Sequence, residues 1–160
     1  MFDKFGEFDS AQEINEAAAA QLAEGDTEAV IAIAEENGID REDAEEFISG
    51  AVPELCTLLM AAYGKLEVEA DELKPYEIME DWLQYIKVRC QEDPDMAAAV
   101  RKKGKSLKGC IGELLKWSFK NQRDVDRDIL KAAGVSGKCT LGIPGIGRAR
   151  QIITEYYMGK

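Results

Sequence analysis

The sequence predicts an all-α protein, a compact bundle of about seven to eight short helices. Apolar residues recur at helical spacing in most segments, and no segment keeps the alternation of apolar and polar residues that is typical of a half-buried strand. Capping residues, glycines and prolines divide the 160 residues at short intervals. An apolar content of 46% is sufficient for an ordinary core without disulfide bonds.

Residues 1–50 are expected to form an acidic three-helix N-terminal subdomain. The first helix begins with a capping box, in which Ser10 and Glu13 satisfy each other's free backbone N–H groups. The second and third helices cover 26–37 and 40–50, and a glycine ends each of them.

Residues 51–160 are expected to form a helical main body with a basic C-terminal half, packed with the first subdomain as one compact unit. Pro53 suits the first position of a helix that bends at Gly64 and reaches Leu73. Further helices are predicted over 76–91, 95–103, 106–119, 124–133 and 148–158.

The glycine-rich stretch 136–147 predicts a loop that can hold one small hairpin. Within it, Pro144-Gly145-Ile146-Gly147 resembles the hairpin of helix-hairpin-helix modules, whose backbone N–H groups contact DNA phosphates. Lys138, Arg148 and Arg150 surround this loop. Two interpretations stay open, namely weak contact with phosphates and the plain start of the last helix.

Charge is unevenly distributed along the chain, whose net charge is −11. Residues 1–80 contain 22 acidic and 4 basic residues, whereas residues 81–160 contain 9 acidic and 16 basic residues. This polarity favours a partner of mixed charge, such as a basic nucleic-acid-binding protein with its cargo nearby. The alternative is that the acidic residues only keep the protein soluble.

The basic residues of the second half are candidates for binding nucleic acid or an acidic protein surface. On a helix that starts at Ser106, Lys116, Lys120 and Arg123 share one face, although such a face can also be merely solvated. The candidate nucleic-acid-binding residues are Arg101, Lys102, Lys103, Lys105, Lys108, Arg123 and Arg127.

Catalysis is not expected. Histidine is absent, which removes the side chain that most often acts as a general base near neutral pH and as a metal ligand. Acidic pairs are plentiful, but no nucleophile paired with a base, no metal-ligand spacing and no phosphate-binding loop accompanies them. The sequence therefore predicts a protein that acts by binding.

The four cysteines, Cys56, Cys90, Cys110 and Cys139, lack the local pairs of the recognised zinc motifs. They lie on three predicted helices and in the glycine-rich loop. If they converge in space, four thiolates complete a tetrahedral structural zinc site without histidine. Otherwise they are small core residues or reactive thiols, reduced in the cytosol.

We expect a cytoplasmic protein without a membrane partner. The first eight residues lack the basic region and the apolar run of a signal peptide. The apolar stretches elsewhere in the chain are too short and too interrupted to cross a bilayer.

Several blocks spread over the chain carry a family resemblance. They are Met1–Phe8, Pro53–Cys56, Met60–Lys65, Val100–Lys105, Leu141–Pro144 and Glu155–Tyr157. Together they resemble a family of small proteins from bacterial mobile elements and phages. That family includes the anti-CRISPR proteins, which are inhibitors of type II CRISPR-Cas effector nucleases.

The resemblance implies a stoichiometric inhibitor that binds the guide-loaded nuclease in the bacterial cytosol and stops it from loading or cutting target DNA. Such nucleases hold nucleic acid in positively charged channels, where carboxylates can compete with phosphates by partial DNA mimicry. The alternative is an accessory nucleic-acid-binding protein of a mobile element that uses the basic cluster at 101–127. For the inhibitor, the candidate residues that bind the nuclease partner are Glu35, Glu36, Glu42, Asp43, Glu45, Glu46, Glu67 and Glu69.

Overall fold

The computed structural model of the chain describes residues 4–159 and shows nine α-helices and one two-stranded sheet in that range. The all-α prediction is confirmed, with nine helices among the described residues in place of the seven to eight expected. The first three residues of the Met1–Phe8 block lie outside the described residues. In chain order the elements are α1 (Ala11–Ala23), α2 (Thr27–Glu36), α3 (Arg41–Ser49), α4 (Leu58–Leu73), α5 (Ile78–Glu92), α6 (Pro94–Arg101), α7 (Leu107–Lys120), β1 (Arg123–Asp124), α8 (Arg127–Ala133), β2 (Thr140–Leu141) and α9 (Ile146–Met158).

The chain divides into two compact units, an N-terminal unit of Met1–Lys108 and a C-terminal unit of Gly109–Lys160. The N-terminal unit contains eleven basic and twenty-six acidic residues, a net charge of −15. The C-terminal unit contains nine basic and five acidic residues, a net charge of +4. The division at residue 50 that the sequence suggested stays a prediction.

Helices α1, α2 and α3 surround one hydrophobic core of the N-terminal unit. The predicted Ser10 cap is confirmed, because the Ser10 hydroxyl accepts from the Glu13 N–H at 3.1 Å. The Glu13 carboxylate, however, accepts from the N–H of Asp9 at 2.6 Å, one residue before the Ser10 N–H of a capping box. Asp26 caps α2 as Ser10 caps α1, through the Ala29 N–H at 3.0 Å. The buried apolar residues of this core are Ile14, Ala18, Val30, Ile33, Ala34, Ile39, Ala44, Phe47, Leu55, Cys56 and Ala61.

The prediction that Pro53 starts a helix is wrong. Helix α4 begins at Leu58, where the Thr57 hydroxyl accepts from the Met60 N–H at 3.2 Å. The segment before it is irregular because the backbone of Cys56 is already bonded to the Asn15 side chain. Its N–H donates to Oδ1 of Asn15, and its carbonyl accepts from Nδ2, both at 2.9 Å.

Helix α4 runs without interruption through Gly64, where the sequence predicted a bend. Gly64 lies instead against the turn between α2 and α3. A Cβ atom on Gly64 would lie 2.0 Å from the carbonyl oxygen of Asn37, far inside van der Waals contact. Gly38 has φ +68°, and a Cβ atom on it would lie 2.3 Å from the carbonyl oxygen of Gly64. This pair of glycines allows the two backbones to meet.

The small hairpin predicted within 136–147 is corrected to a sheet whose two strands flank α8. Strand β2 comes from the glycine-rich loop, but it pairs antiparallel with β1, with Arg123 opposite Leu141 and Asp124 opposite Thr140. A hydrogen bond from the Thr140 hydroxyl to Oε1 of Gln122, at 2.9 Å, holds the loop at the end of α7.

No helix within residues 4–159 is both long enough and apolar enough to cross a membrane.

Replacing Gly64 with alanine is expected to lower the free energy of unfolding by about 1–3 kcal/mol or more, because the new methyl group overlaps the Asn37 carbonyl. Gly112→Ala in α7 is the matched control, since nothing lies within 4 Å of its added Cβ. The control is expected to be neutral or stabilising by up to about 1 kcal/mol. Urea unfolding, followed by circular dichroism, measures the free energy of unfolding of both variants. Equal effects of the two substitutions would contradict the close approach of Gly64 to the Asn37 backbone.

Candidate functional site

An acidic surface lies on α2 and α3. Glu35 and Glu45 both pair with Arg41, at 4.0 and 3.2 Å, and all three side chains are exposed, so these ion pairs stabilise the fold very little. Glu42, Asp43 and Glu46, in contrast, form no side-chain hydrogen bond or ion pair with any residue of 4–159. We call these three side chains the free carboxylates of α3.

A groove of about 320 Å³ beside α3 extends this acidic surface to α4. Asp40 and Asp43 line it from the start of α3, and Glu67 lines it from α4, together with the apolar side chains of Met60 and Tyr63. The structure therefore places two of the predicted partner-binding residues, Asp43 and Glu67, in one groove. Glu67 also forms an ion pair with Lys87.

Glu36, another predicted partner-binding residue, has a structural role. Its carboxylate accepts from the backbone N–H of Lys4 at 2.8 Å and from that of Phe5 at 3.2 Å. It therefore holds the N-terminal segment on α2.

Glu69 is buried, so the prediction that it contacts a partner is corrected. Its carboxylate accepts from the backbone N–H of Leu107 and lies 3.9 Å from the Lys65 ammonium. Burial raises the pKa of the Glu69 carboxyl above its usual range, and the Leu107 N–H and the Lys65 ammonium oppose that shift. Its charge is therefore held inside the unit by a hydrogen bond and a buried cation.

Arg101 is also buried, which removes it from the predicted nucleic-acid-binding surface. Its guanidinium donates to the carbonyl of Phe8 at 2.9 Å and to Oδ1 of Asn37 at 3.1 Å. Burial lowers the pKa of this guanidinium, and the Glu7 carboxylate opposes the shift. Arg101 thus connects the end of α6 to the N-terminal segment and to the end of α2.

Lys65 is a buried functional group that the sequence analysis missed. Its ammonium donates to the carbonyls of Lys102 and Lys105, both at 2.6 Å, and lies 2.9 Å from the Glu7 carboxylate. The signal was a lone lysine within the apolar stretch of α4, where a charge is stable only if buried partners satisfy it. We call Lys65, Glu7, Glu69 and Arg101 the buried ionic cluster.

The remaining predicted basic residues divide between the two units. Lys102, Lys103, Lys105 and Lys108 lie around a loop of the N-terminal unit, and the Lys103 N–H donates to the Asp9 carboxylate at 2.8 Å. Arg123 and Arg127 belong to the C-terminal unit, as do Lys116 and Lys120. The predicted cluster at 101–127 is therefore not one element of structure.

The Pro144–Gly147 segment forms the start of α9, with Gly145 as its N-cap. Beside it, the Arg148 guanidinium lies over the Trp117 ring, 5.7 Å from the ring centroid, in a cation–π contact. Phosphate binding by this loop stays a prediction.

The four cysteines differ in exposure. Cys56, Cys90 and Cys110 are buried and Cys139 is exposed. Burial raises the pKa of the Cys56 thiol to about 11 and that of the Cys90 thiol to about 12. Residues 4–159 contain no group of three or more His, Cys, Asp or Glu side chains arranged to hold a metal ion, so the zinc hypothesis gains no structural support.

Comparison of the chain with protein-family models, with curated proteins and with solved structures finds no match.

Glu69→Gln is expected to gain stability relative to the wild type as the pH rises above 4.5, the ordinary pKa of this group. The folded protein holds the Glu69 proton more tightly than the unfolded chain does. Deprotonation at higher pH therefore destabilises the wild type and leaves the glutamine variant unaffected. Urea unfolding at about pH 4 and about pH 7 measures the difference.

Asp71→Asn, at an exposed position of the same helix, is the control for removing one negative charge. If the difference in free energy of unfolding between the wild type and Glu69→Gln did not vary with pH, the raised pKa of the buried Glu69 carboxyl would be contradicted.

One thiol is expected to react quickly with a disulfide reagent in the native protein at neutral pH, and Cys139→Ser is expected to abolish that fast reaction. The buried thiols at 56, 90 and 110 are expected to react only after unfolding, because burial makes all three inaccessible and also raises the pKa of the Cys56 and Cys90 thiols. Element analysis provides the second measurement. The four-thiolate hypothesis would be restored if Cys139 reacted slowly until a chelator was added and the purified protein contained one zinc ion per chain.

Proposed function

We propose that this protein is an anti-CRISPR inhibitor that binds a guide-loaded type II CRISPR-Cas nuclease through the acidic surface of α2, α3 and α4. The observation that carries the proposal is the set of free carboxylates of α3, which lie beside an acidic groove in a unit of net charge −15. The family resemblance of the sequence blocks supplies the identity of the partner.

The proposed mechanism is competition with nucleic acid. An RNA-guided nuclease holds its heteroduplex and the displaced strand in positively charged channels. A carboxylate without an internal partner can meet a lysine or arginine of such a channel without first breaking an ion pair of its own. The three free carboxylates of α3, Glu42, Asp43 and Glu46, meet this condition. Glu35 and Glu45 do not, because each would first have to break its contact with Arg41.

The groove between α3 and α4 supplies a second part of the proposed contact. Its Met60 and Tyr63 side chains can bury the apolar stem of a lysine or arginine while Asp40, Asp43 and Glu67 bind the charged head. We propose binding and not catalysis, since the chain contains no histidine to act as a general base.

The test is a titration of this protein into a guide-loaded type II nuclease, with target-DNA binding and cleavage measured separately. The proposal expects near-stoichiometric inhibition that weakens as salt screens the charges. Loss of both DNA binding and cleavage would support blocked loading, and loss of cleavage alone would support a block after binding. No inhibition of any type II nuclease in a representative set would refute the proposal.

The triple variant Glu42→Gln, Asp43→Asn, Glu46→Gln is expected to raise the concentration for half-inhibition roughly three- to a hundredfold. This range follows because each exposed charge pair contributes about 0.2–1 kcal/mol. The matched control replaces three exposed acids elsewhere in the N-terminal unit, Glu24→Gln, Asp81→Asn and Glu92→Gln, and so changes the net charge equally. Equal losses for the two triples would show that overall charge, and not the α3 surface, determines inhibition.

A further inference from the structure

The segment around α8 in the C-terminal unit encloses a cleft that the proposed function does not use. The cleft has a volume of about 700 Å³. Val125, Leu130 and Val135 give it apolar walls, and Arg127, Lys131 and Lys138 surround them with cations. We call this the α8 cleft. A cavity of this size with apolar walls and a few charged groups is typical of a ligand site.

The cations near the α8 cleft are largely free. Lys138 is paired with Asp124 at 3.4 Å. Lys120, Arg123, Arg127 and Lys131 form no side-chain hydrogen bond or ion pair with any residue in the described part of the chain. Arg127 and Lys131 are four residues apart on α8 and therefore share a face of that helix. The same twelve residues also contain Asp124, Asp126 and Asp128, so the cations exceed the carboxylates by one, and the free cations favour an anionic ligand.

The same region exposes apolar groups that a folded unit ordinarily buries. No residue of α8 is buried, and Ile129 is 60% exposed. The Phe119 ring, on the last turn of α7, is 79% exposed. Phe119 precedes Asp124, a residue of the cleft wall, by five positions, so the two lie within about 17 Å of each other even along a fully extended chain.

We propose that the C-terminal unit binds single-stranded nucleic acid at the α8 cleft and Phe119. The phosphates are held by Lys120, Arg123, Arg127 and Lys131, one base enters the cleft against its apolar walls, and another stacks on Phe119. The C-terminal unit has a net charge of +4 and free cations on and near α8, which favours an anionic ligand, and the exposed aromatic ring next to Lys120 in the chain favours one with accessible planar faces. A single strand offers such faces, whereas the bases of a duplex are already stacked on each other.

This inference stands apart from nuclease binding, because it concerns other residues in the other unit and is tested without a nuclease. The full chain is titrated into a fluorescent single-stranded DNA or RNA of about 20 nucleotides, longer than the roughly 4–16 nucleotides that one single-strand-binding module covers. Anisotropy is measured between about 50 and 200 mM salt. The same titration with a duplex is the comparison.

The variant Arg123→Gln, Arg127→Gln, Lys131→Gln is expected to weaken binding at least about tenfold and to reduce the slope of log affinity against log salt by about 2. The matched control neutralises three exposed lysines of the N-terminal unit, Lys102→Gln, Lys103→Gln and Lys108→Gln, and is expected to bind like the wild type. Circular dichroism verifies that both variants are folded.

Phe119→Ala is expected to weaken binding at least about fivefold through lost stacking, and Phe119→Tyr is expected to restore it. Leu115→Ala, at another exposed apolar position of α7, is the control for loss of apolar area. The proposal is overturned if no single strand binds at the lowest salt, or if the two basic triple variants weaken binding equally. It is also overturned if a duplex binds as tightly as a single strand and Phe119→Ala has no effect. Binding of an acidic protein or of a second copy in place of nucleic acid would also overturn it.

Discussion

The N-terminal unit depends on the buried ammonium group of Lys65. This group joins α4 to the N-terminal segment through Glu7 and to the basic loop through the carbonyls of Lys102 and Lys105. Arg101 extends the connection to Asn37 at the end of α2. Removing charges from water is costly, and the cost is offset only when every partner is in place. The buried ionic cluster therefore stabilises one arrangement of segments that are far apart in the sequence, and alternative arrangements leave a charge unpaired.

The cluster also determines which charges remain on the surface. Two of the eleven basic residues of the N-terminal unit are buried in it, whereas most of the twenty-six acidic residues stay exposed. Among the free carboxylates of α3, Glu42 and Glu46 are exposed and Asp43 is half-buried. Because the cluster contains two cations and two carboxylates, the net charge of −15 remains on the other residues of the unit. In the C-terminal unit, four cations on and near α8 have no partner in the described part of the chain. The two proposals thus draw on opposite charges in different units, and each can fail without the other.

Much of the fold could be read from local chemistry. Caps at Ser10 and Asp26 form hydrogen bonds with residues three positions later, and glycines such as Gly50 end helices through their own backbone angles. These interactions involve a few neighbouring residues, so the sequence determines them. The preference of Pro53 for a helix start was outweighed by a distant partner, and Gly64 serves a distant contact that local chemistry does not indicate. The Asn15 side chain holds the segment before α4, and the backbone of Gly38 meets that of Gly64.

The site shows the same division. The sequence by itself determined the all-α class, the position of most helices, the acidic N-terminal half and the absence of histidine, because these follow from composition and from periodicity within single helices. Only the tertiary structure decided which charges are available to a partner. Glu69 and Arg101 look like surface groups in the sequence, but long-range packing buries them, and the Arg101 side chain bonds to residues more than sixty positions away. Such long-range contacts decide whether a charged side chain is paired inside the protein or available to a partner. The two residues of such a contact have no fixed spacing along the chain, so the sequence does not reveal them.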